Sequence, residues 1–147
     1  MRQAFYVAFL ILAAVFVYWH SVRGLAFFRV PSESMVPTLA PGDFIVTLPQ
    51  KAYRRGDIVV LADPLNPGDY LVKRIVAVEG DTAEVNLGYL SINGRYASEP
   101  YINKDPLGEP MNYALDSLTV SPGEILVLGD NRNESDDASR WLIDPDA

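Results

Sequence analysis

Residues 70–78 read YLVKRIVAV, an apolar run that is interrupted only by Lys73 and Arg74. Short apolar runs between turn residues are typical of β-strands. Residues 66–69 (NPGD) precede this run and residues 79–81 (EGD) follow it, and both contain residues that favour turns. The stretch therefore predicts a strand that is bounded by two turns, and the same pattern recurs through the chain beyond residue 24.

Four other runs have this character and are predicted as strands: Phe44–Leu48, Asp57–Leu61, Tyr89–Ile92 and Glu124–Leu128. Residues 92–95 (INGR) are a candidate for a tight hairpin, because Asn-Gly is a strong two-residue turn signal. Residues 98–122 are rich in proline and are predicted to form an irregular excursion. Since no second long helical pattern is visible, the sequence predicts a mainly β, antiparallel domain over residues 23–147.

An apolar segment precedes this domain at residues 4–22, and it contains no Asp, Glu, Lys or Arg. Its length nearly matches a bilayer core of about 30 Å at about 1.5 Å per helical residue. Tyr18 and Trp19 near one end and Tyr6 near the other suit the membrane–water interfaces. We therefore predict a single transmembrane helix over residues 4–22, after a short tail at residues 1–3.

Two other interpretations of the apolar segment are open at this point. A cleavable signal peptide would need a small-residue cleavage site, and no clean Ala-x-Ala follows the segment before Arg23. A buried core helix of a soluble domain would be amphipathic, and this segment is not. The basic residues at its two ends, Arg2 on one side and Arg23 and Arg29 on the other, do not decide its orientation.

The composition of the chain excludes several classes of function. With 19 acidic and 12 basic residues the net charge is −7, so the chain lacks the basic face that nucleic-acid phosphates require. Cysteine is absent, which removes a thiol nucleophile, disulfides and thiolate metal sites. His20 is the sole histidine, so a Ser-His-Asp triad and a His-rich metal site are effectively excluded as well.

A serine nucleophile in this chain would need a base other than histidine, and lysine is the remaining candidate. The lysines are Lys51, Lys73 and Lys104. Lys51 lies in a predicted turn and Lys104 in the proline-rich stretch, whereas Lys73 lies inside a predicted strand. Lys73 is therefore the candidate general base.

Apolar neighbours are expected on the strand face that carries Lys73. With a strand period of two, that face also carries Leu71, Ile75 and Ala77. An ammonium among such neighbours is poorly solvated, which lowers its pKa. A general base must be neutral near the working pH, so this pKa would have to fall from about 10.4 to roughly 7. The alternative is a lysine on an edge strand whose ammonium reaches water.

The candidate nucleophiles are Ser32 and Ser34, which lie in a loop between Pro31 and Pro37. Two hydroxyls in a stiff loop allow one to attack a carbonyl. The other hydroxyl, or a backbone N–H, can then donate to the oxyanion. The same pattern, read alone, is also compatible with an ordinary surface loop.

Four segments, in order, resemble the motifs of the bacterial type I signal peptidase family, which are Ser-Lys serine proteases. The first is 31–39 (PSESMVPTL). The others are 55–60 (RGDIVV), 72–76 (VKRIV) with Gly80 and Asp81, and 129–132 (GDNR) with Ser135, Asp137, Ser139 and Arg140. The resemblance covers about residues 27–141, which is nearly the whole predicted β domain.

The resemblance implies a role for each matching residue. Ser34 matches the nucleophile and Lys73 the general base, while the Ser32 hydroxyl and the Ser34 N–H match the oxyanion hole. Ser135 matches the serine that orients the lysine. Arg74, Asp137 and Arg140 match a supporting salt-bridge cluster. Phe28, Val30, Pro31, Met35 and Val72 match the lining of shallow apolar substrate pockets.

The family also implies the reaction and its setting. We expect a membrane-bound serine endopeptidase that removes N-terminal signal peptides from exported preproteins through an acyl-enzyme, without a metal or an organic cofactor. Its partners would be preproteins with Ala-x-Ala-like cleavage sites and the lipid bilayer. The expected location is the cytoplasmic (inner) membrane, with a single pass and the catalytic domain on the extracytoplasmic side.

The chain departs from the family pattern in four places. Glu79 stands where a proline is usual, Ala138 is an extra residue before Ser139, and Trp141 is not followed by glycine. The sequence ends at Ala147, before the final strand typical of the family, which we interpret as a truncation or a short variant.

Three other functions are consistent with parts of the pattern. The first is a specialised relative with the same dyad, such as a peptidase that processes conjugation-type pilins or propeptides. The second is a Ser-Lys autoprotease like those of stress-response repressors, which share the β fold. These carry a DNA-binding domain, however, for which this chain has no room. The third is a catalytically inactive, membrane-tethered β module that only binds exported peptides.

Overall fold

The structure, a computed structural model, describes residues 2–102 and 113–141. Within these residues the chain begins with helix α1 (Arg2–Arg23) and ends with a 3-10 turn (Arg132–Glu134) and a short helix α2 (Ala138–Trp141). The strands between them are β1 (Ala26–Arg29), β2 (Phe44–Thr47), β3 (Ile58–Ala62), β4 (Tyr70–Val78), β5 (Thr82–Asn86), β6 (Tyr89–Ile92), β7 (Arg95–Tyr96), β8 (Leu115–Thr119) and β9 (Ile125–Leu128).

The strands form three antiparallel sheets, which confirms the predicted mainly β, antiparallel class. Their orders are β1-β2, β3-β4-β9 and β7-β6-β5-β8. Strand β4 lies in the middle of the three-stranded sheet, where Lys73 is opposite Val59 on β3 and Arg74 is opposite Leu128 on β9. The longest predicted strand is therefore a central strand with a neighbour on each side.

Each predicted apolar run matches an observed strand to within one residue at either end, and the predicted hairpin is confirmed. Ile92 pairs with Arg95, and Asn93 and Gly94 have φ values of 52° and 74°. A tight turn with two left-handed residues has the right-handed twist of its flanking strands, which explains why Asn-Gly is found there.

Strands β1, β5 and β8 were not predicted, and β8 shows that residues 98–122 are not irregular throughout. In β5 only Ala83 and Val85 are apolar, and they alternate with more exposed positions. Strand β8 resembles it, since Leu115 is buried while most of its neighbours are exposed. Such strands become stable by pairing with each other, β5 against β8, rather than through a continuous apolar run.

The hydrophobic core lies between β4 and β9 on one side and the four-stranded sheet on the other. It contains buried residues from both and from the segments next to them: Val76, Ala77, Ala83, Val85, Leu90, Ile92, Tyr113, Leu115, Val120, Leu126, Leu128 and Ala138. Ala138, which the comparison with the family pattern marked as an extra residue, begins α2 and packs into this core. This position therefore lies in a regular element.

The apolar amino-terminal segment is helical, as predicted, and α1 covers Arg2–Arg23. Many of its large side chains are exposed, including Phe5, Phe9 and Leu12. The ring of Phe16 lies 6.0 Å from that of Phe27 on β1, so the helix contacts the first strand. In the part of the chain that the structure describes, no helix has the length and apolar character needed to cross a membrane.

Candidate active site

Lys73 is buried in the centre of the three-stranded sheet. The whole residue is only 2% exposed, and the Lys73 Nζ donates to the Ser135 hydroxyl at 3.2 Å. Strand β4 is buried on both faces from Val72 to Ala77, and a register shift between Ile75 and Ala77 interrupts the simple alternation. The alternative of an exposed lysine on an edge strand is therefore wrong.

Ser32 and Ser34 lie in the loop that joins β1 to β2. This loop is closed at its base, because the Val30 N–H donates to the Asp43 carbonyl at 2.8 Å and the Gly42 N–H donates to the Val30 carbonyl at 2.9 Å. Ser34 is buried, and the more exposed Ser32 donates from its hydroxyl to the Ser34 hydroxyl at 3.3 Å. The loop is therefore a fixed structure that carries two linked hydroxyls.

The serines and the lysine meet in one open cleft. Ser32, Ser34 and Lys73 line this cleft together with Pro31. Its remaining walls are Asp63, Asp69, Tyr70, Leu71, Glu134 and Asp136. An exposed approach to a buried hydroxyl and a buried amine is the arrangement that a serine–lysine acyl transfer requires.

The segment that follows β9 connects the lysine side of the cleft to the loop between β1 and β2, which carries the candidate nucleophile Ser34 and is called the nucleophile loop below. Ser135 is fully buried, and a Cβ on Gly129 would lie 2.2 Å from its hydroxyl and 2.6 Å from the Ser34 carbonyl oxygen. The Asn131 N–H donates to that same carbonyl at 3.0 Å, and the Asn131 side chain donates to the Glu33 carbonyl at 3.2 Å. Close packing thus fixes Ser34 and Ser135 relative to each other.

A buried ion pair lies beside the dyad and differs from the one that was predicted. Arg74 donates to Asp130 twice, from Nε at 2.8 Å and from Nη2 at 2.7 Å, and Asp130 is fully buried. Thr38 in the nucleophile loop donates to the same carboxylate. The hydrogen bonds to Asp130 raise the pKa of Arg74 above its ordinary value, so the guanidinium stays charged.

Asp137, which was predicted to share a salt-bridge cluster with Arg74, has another set of contacts. It accepts hydrogen bonds from the Tyr113 hydroxyl at 2.6 Å, the Gly129 N–H at 2.8 Å and the Ser139 hydroxyl at 3.0 Å. These donors hold the last segment in place without an ion pair to Arg74. The side chain of Arg140, the third predicted member, lies outside the described residues.

The predicted pocket residues divide into two groups. Pro31 lines the cleft, and the ring of Phe28 packs 5.2 Å from that of Tyr70, which also lines it. Val30, Met35 and Val72 are buried. A role for these three in a substrate pocket stays a prediction.

Asp130, Thr38 and Tyr70 are the site residues that the sequence reasoning did not assign. Asp130 lies within the 129–132 motif and Thr38 within 31–39, so both belong to segments that the sequence singled out. The hydrogen bond between them joins two distant segments and could not be predicted. Among the described residues, no group of three or more His, Cys, Asp or Glu side chains is placed to hold a metal ion.

Comparison with known proteins gives consistent matches. The model of the family described as "Signal peptidase, peptidase S26" matches residues 1–143. The probable signal peptidase I-1 of Synechocystis sp. is 36% identical over 123 residues, which cover 76% of this chain and 60% of that protein. The chloroplastic thylakoidal processing peptidase 1 of Arabidopsis thaliana is 36% identical over 126 residues, which cover 76% of this chain and 36% of that protein.

A solved structure is also similar. The crystal structure of a signal peptidase I from Enterococcus faecalis V583 has a TM-score of 0.53 and 34% sequence identity to this chain. The match covers 60% of this chain and 86% of that one. By contrast, the chain spans between about a third and three fifths of the length of the cyanobacterial and plant relatives above.

Proposed function

Because the chain belongs to the signal peptidase family, peptidase S26, we propose that it is a serine endopeptidase that removes N-terminal signal peptides from exported preproteins. The observation that carries the proposal is the cleft lined by Ser34 and Lys73. The buried hydrogen bond from Lys73 to Ser135 supports it, because it gives the amine a fixed direction. The names of the relatives agree with this reaction.

In the proposed mechanism the neutral amine of Lys73 accepts the proton of the Ser34 hydroxyl. The Ser34 oxygen attacks the scissile carbonyl, and the resulting oxyanion is stabilised by the Ser32 hydroxyl and the Ser34 N–H. Lys73 then gives its proton to the leaving amine, and the peptide bond breaks to leave an acyl-enzyme on Ser34. Lys73 next activates a water molecule, which hydrolyses the ester and releases the second product.

The burial of Lys73 supports its role as a base. The Lys73 residue is only 2% exposed, so little water reaches its side chain and burial disfavours the charged form. The Ser135 hydroxyl can accept from the protonated amine or donate to the neutral one, so it can orient Lys73 at both stages of the reaction.

For the substrate we propose small residues at the first and third positions before the cut, as in Ala-x-Ala. Phe28, Val30, Pro31, Met35 and Val72 are the proposed pocket residues. Three of them are buried, so a side chain bound above them has little depth to enter. A shallow apolar site of this kind accepts a methyl group and excludes larger branches.

Cleavage of a model preprotein tests the proposal. We expect the full chain in detergent to cut an Ala-x-Ala substrate once, directly after the second alanine, as identified by mass spectrometry of both products. Leucine at the first position before the cut should lower kcat/KM by at least about a hundredfold, since a shallow pocket cannot hold it. A folded chain that binds the peptide without cutting it would instead support the inactive peptide-binding module.

We also propose that α1 anchors the enzyme in the cytoplasmic membrane. The proposed division is a tail at 1–3, a transmembrane helix at 4–22 and an extracytoplasmic catalytic domain at 23–147. The exposed apolar side chains of α1 support this, because such a surface is costly in water. Phe27, Phe44 and Val46 on β1 and β2 extend the exposed apolar surface from the end of the helix.

Labelling of single cysteines measures the topology, because the chain has no cysteine of its own. Ser121→Cys lies in an exposed turn of the β domain, and Gln3→Cys lies in the first turn of α1. In intact cells, a membrane-impermeant thiol reagent should label Ser121→Cys and leave Gln3→Cys unlabelled until the cells are broken. Labelling of both sites from outside, or recovery of the protein without membranes, would contradict the anchor.

A further inference from the structure

The segment after β7, residues 99–101, contacts two buried arginines that lie behind the proposed active site. Resting on the proposed peptidase function, we infer that Tyr101 and Glu99 are positioning residues of the reaction. They act on the dyad through Arg74 and Arg132 and do not touch the substrate. The catalytic motifs in the sequence do not include either residue.

Tyr101 completes the environment of the Arg74 guanidinium. The guanidinium carbon lies 3.9 Å from the centre of the Tyr101 ring, well inside the distance at which a cation and an aromatic face attract. The edges of the guanidinium are already used, because it donates to Asp130 and, from Nη1 at 2.8 Å, to the Gly56 carbonyl. The hydrogen bonds lie in the guanidinium plane and leave the group free to tilt out of that plane. The Tyr101 ring, which stacks on the face of the group, restricts this tilt.

Arg74 is one step from the chemistry on each side. It directly follows Lys73 on β4, and its partner Asp130 accepts from Thr38 in the nucleophile loop. The residue after Asp130, Asn131, donates its N–H to the Ser34 carbonyl. A tilt of the Arg74 guanidinium plane would therefore move the Asp130 carboxylate, which links the nucleophile loop to the segment after β9.

Glu99 connects the same segment to the second arginine. The Tyr101 hydroxyl donates to the Glu99 carboxylate at 2.9 Å, and Arg132 Nη2 forms an ion pair with that carboxylate. Arg132 is almost fully buried, and its Nε donates to the Gly129 carbonyl at 3.0 Å. A buried arginine needs a buried counter-charge, and among the described residues Glu99 is the carboxylate paired with it.

The protonation state of the Tyr101 phenol suits its role as a positioning residue. Burial, together with the nearby charge of Glu99, raises the pKa of the Tyr101 phenol above its ordinary value. The phenol therefore stays protonated across the working range of a peptidase and keeps its donor bond to Glu99. The two arginines both contact the segment 129–131, Arg74 through Asp130 and Arg132 through the Gly129 carbonyl, and residues 99–101 contact both arginines.

Three variants test the inference. Tyr101→Ala removes the ring, and we expect kcat per folded enzyme to fall about tenfold while KM changes less than twofold, since the cleft walls are untouched. Tyr101→Phe keeps the ring and loses only the bond to Glu99, so it should recover most of kcat. Tyr96→Ala is the matched control, because Tyr96 is exposed and its ring contacts Tyr89.

A double-mutant cycle shows whether Tyr101 acts through Arg74. In an Arg74→Lys background, where no planar cation is left to stack, Tyr101→Ala should lower kcat by less than twofold further. A full tenfold effect in that background, or a change in KM alone, would overturn the inference. If Tyr101→Ala cuts as fast as an active wild type, the inference also fails, whereas a wild type that does not cut contradicts the proposed function itself.

Discussion

Replacing Lys73 with methionine is expected to abolish peptide cleavage while leaving the protein folded. Methionine fills the same buried volume in β4 but cannot accept the Ser34 proton, so kcat should fall by at least about a thousandfold. The melting temperature should be unchanged or higher, because an apolar side chain of similar size replaces a buried amine that is costly to desolvate. Cleavage of an Ala-x-Ala substrate and thermal unfolding measure the two effects.

Two further variants make this result specific. Ser34→Ala should lose activity to the same extent, and the double variant should be no worse than either single one, because residues that act as a unit are not additive. Lys51→Met is the control, since Lys51 is exposed in a turn and should keep wild-type activity. Residual turnover by Lys73→Met above one hundredth of wild type would show that another group serves as the base.

Gly129→Ala is the second change with a large expected effect. The added Cβ would meet the Ser135 hydroxyl at 2.2 Å and the Ser34 carbonyl at 2.6 Å, so both must move away. Overpacking of this kind costs about 1–3 kcal/mol of unfolding free energy. Because the displaced atoms belong to the nucleophile loop and to the residue that orients Lys73, we expect kcat to fall at least about a hundredfold as well.

Gly123→Ala separates this packing effect from the general cost of replacing a glycine. Gly123 has a φ of 81° and nothing within 4 Å of a built Cβ. The Gly123→Ala substitution should therefore cost about 1–2 kcal/mol of unfolding free energy through backbone strain alone and leave kcat unchanged. If Gly129→Ala were as active as Gly123→Ala, the close packing around Gly129 would not be needed for catalysis.

The sequence predicted the features of this fold that have a local cause. The run at residues 70–78 and the Asn93-Gly94 turn each contain their own signal, an apolar stretch and a pair of left-handed residues. Strands β5 and β8 have no such signal, because each is half exposed and is stabilised by pairing with its neighbours in the sheet, including each other. Their pairing joins residues about 35 positions apart, which no local pattern encodes.

The site divides in the same way. Ser34 and Lys73 were singled out by residue type and by context, and the structure brings both to one cleft. The family resemblance grouped Arg74 with Asp137 and Arg140 in one salt-bridge cluster, whereas Arg74 pairs with Asp130 in the structure. Tyr101 lies in a proline-rich stretch whose composition gives no hint that its ring covers Arg74. Both contacts join residues that lie far apart in the chain.

The link between the Ser34 carbonyl and the Asn131 N–H has a consequence for biosynthesis. A nascent chain that has left the ribosome only as far as β4 already carries both Ser34 and Lys73. It still lacks Gly129, Asn131 and Ser135, which hold the nucleophile loop and orient the amine. In the proposed peptidase the site is therefore completed late in translation, so we expect unfinished chains to be poorly equipped to cut themselves or their neighbours.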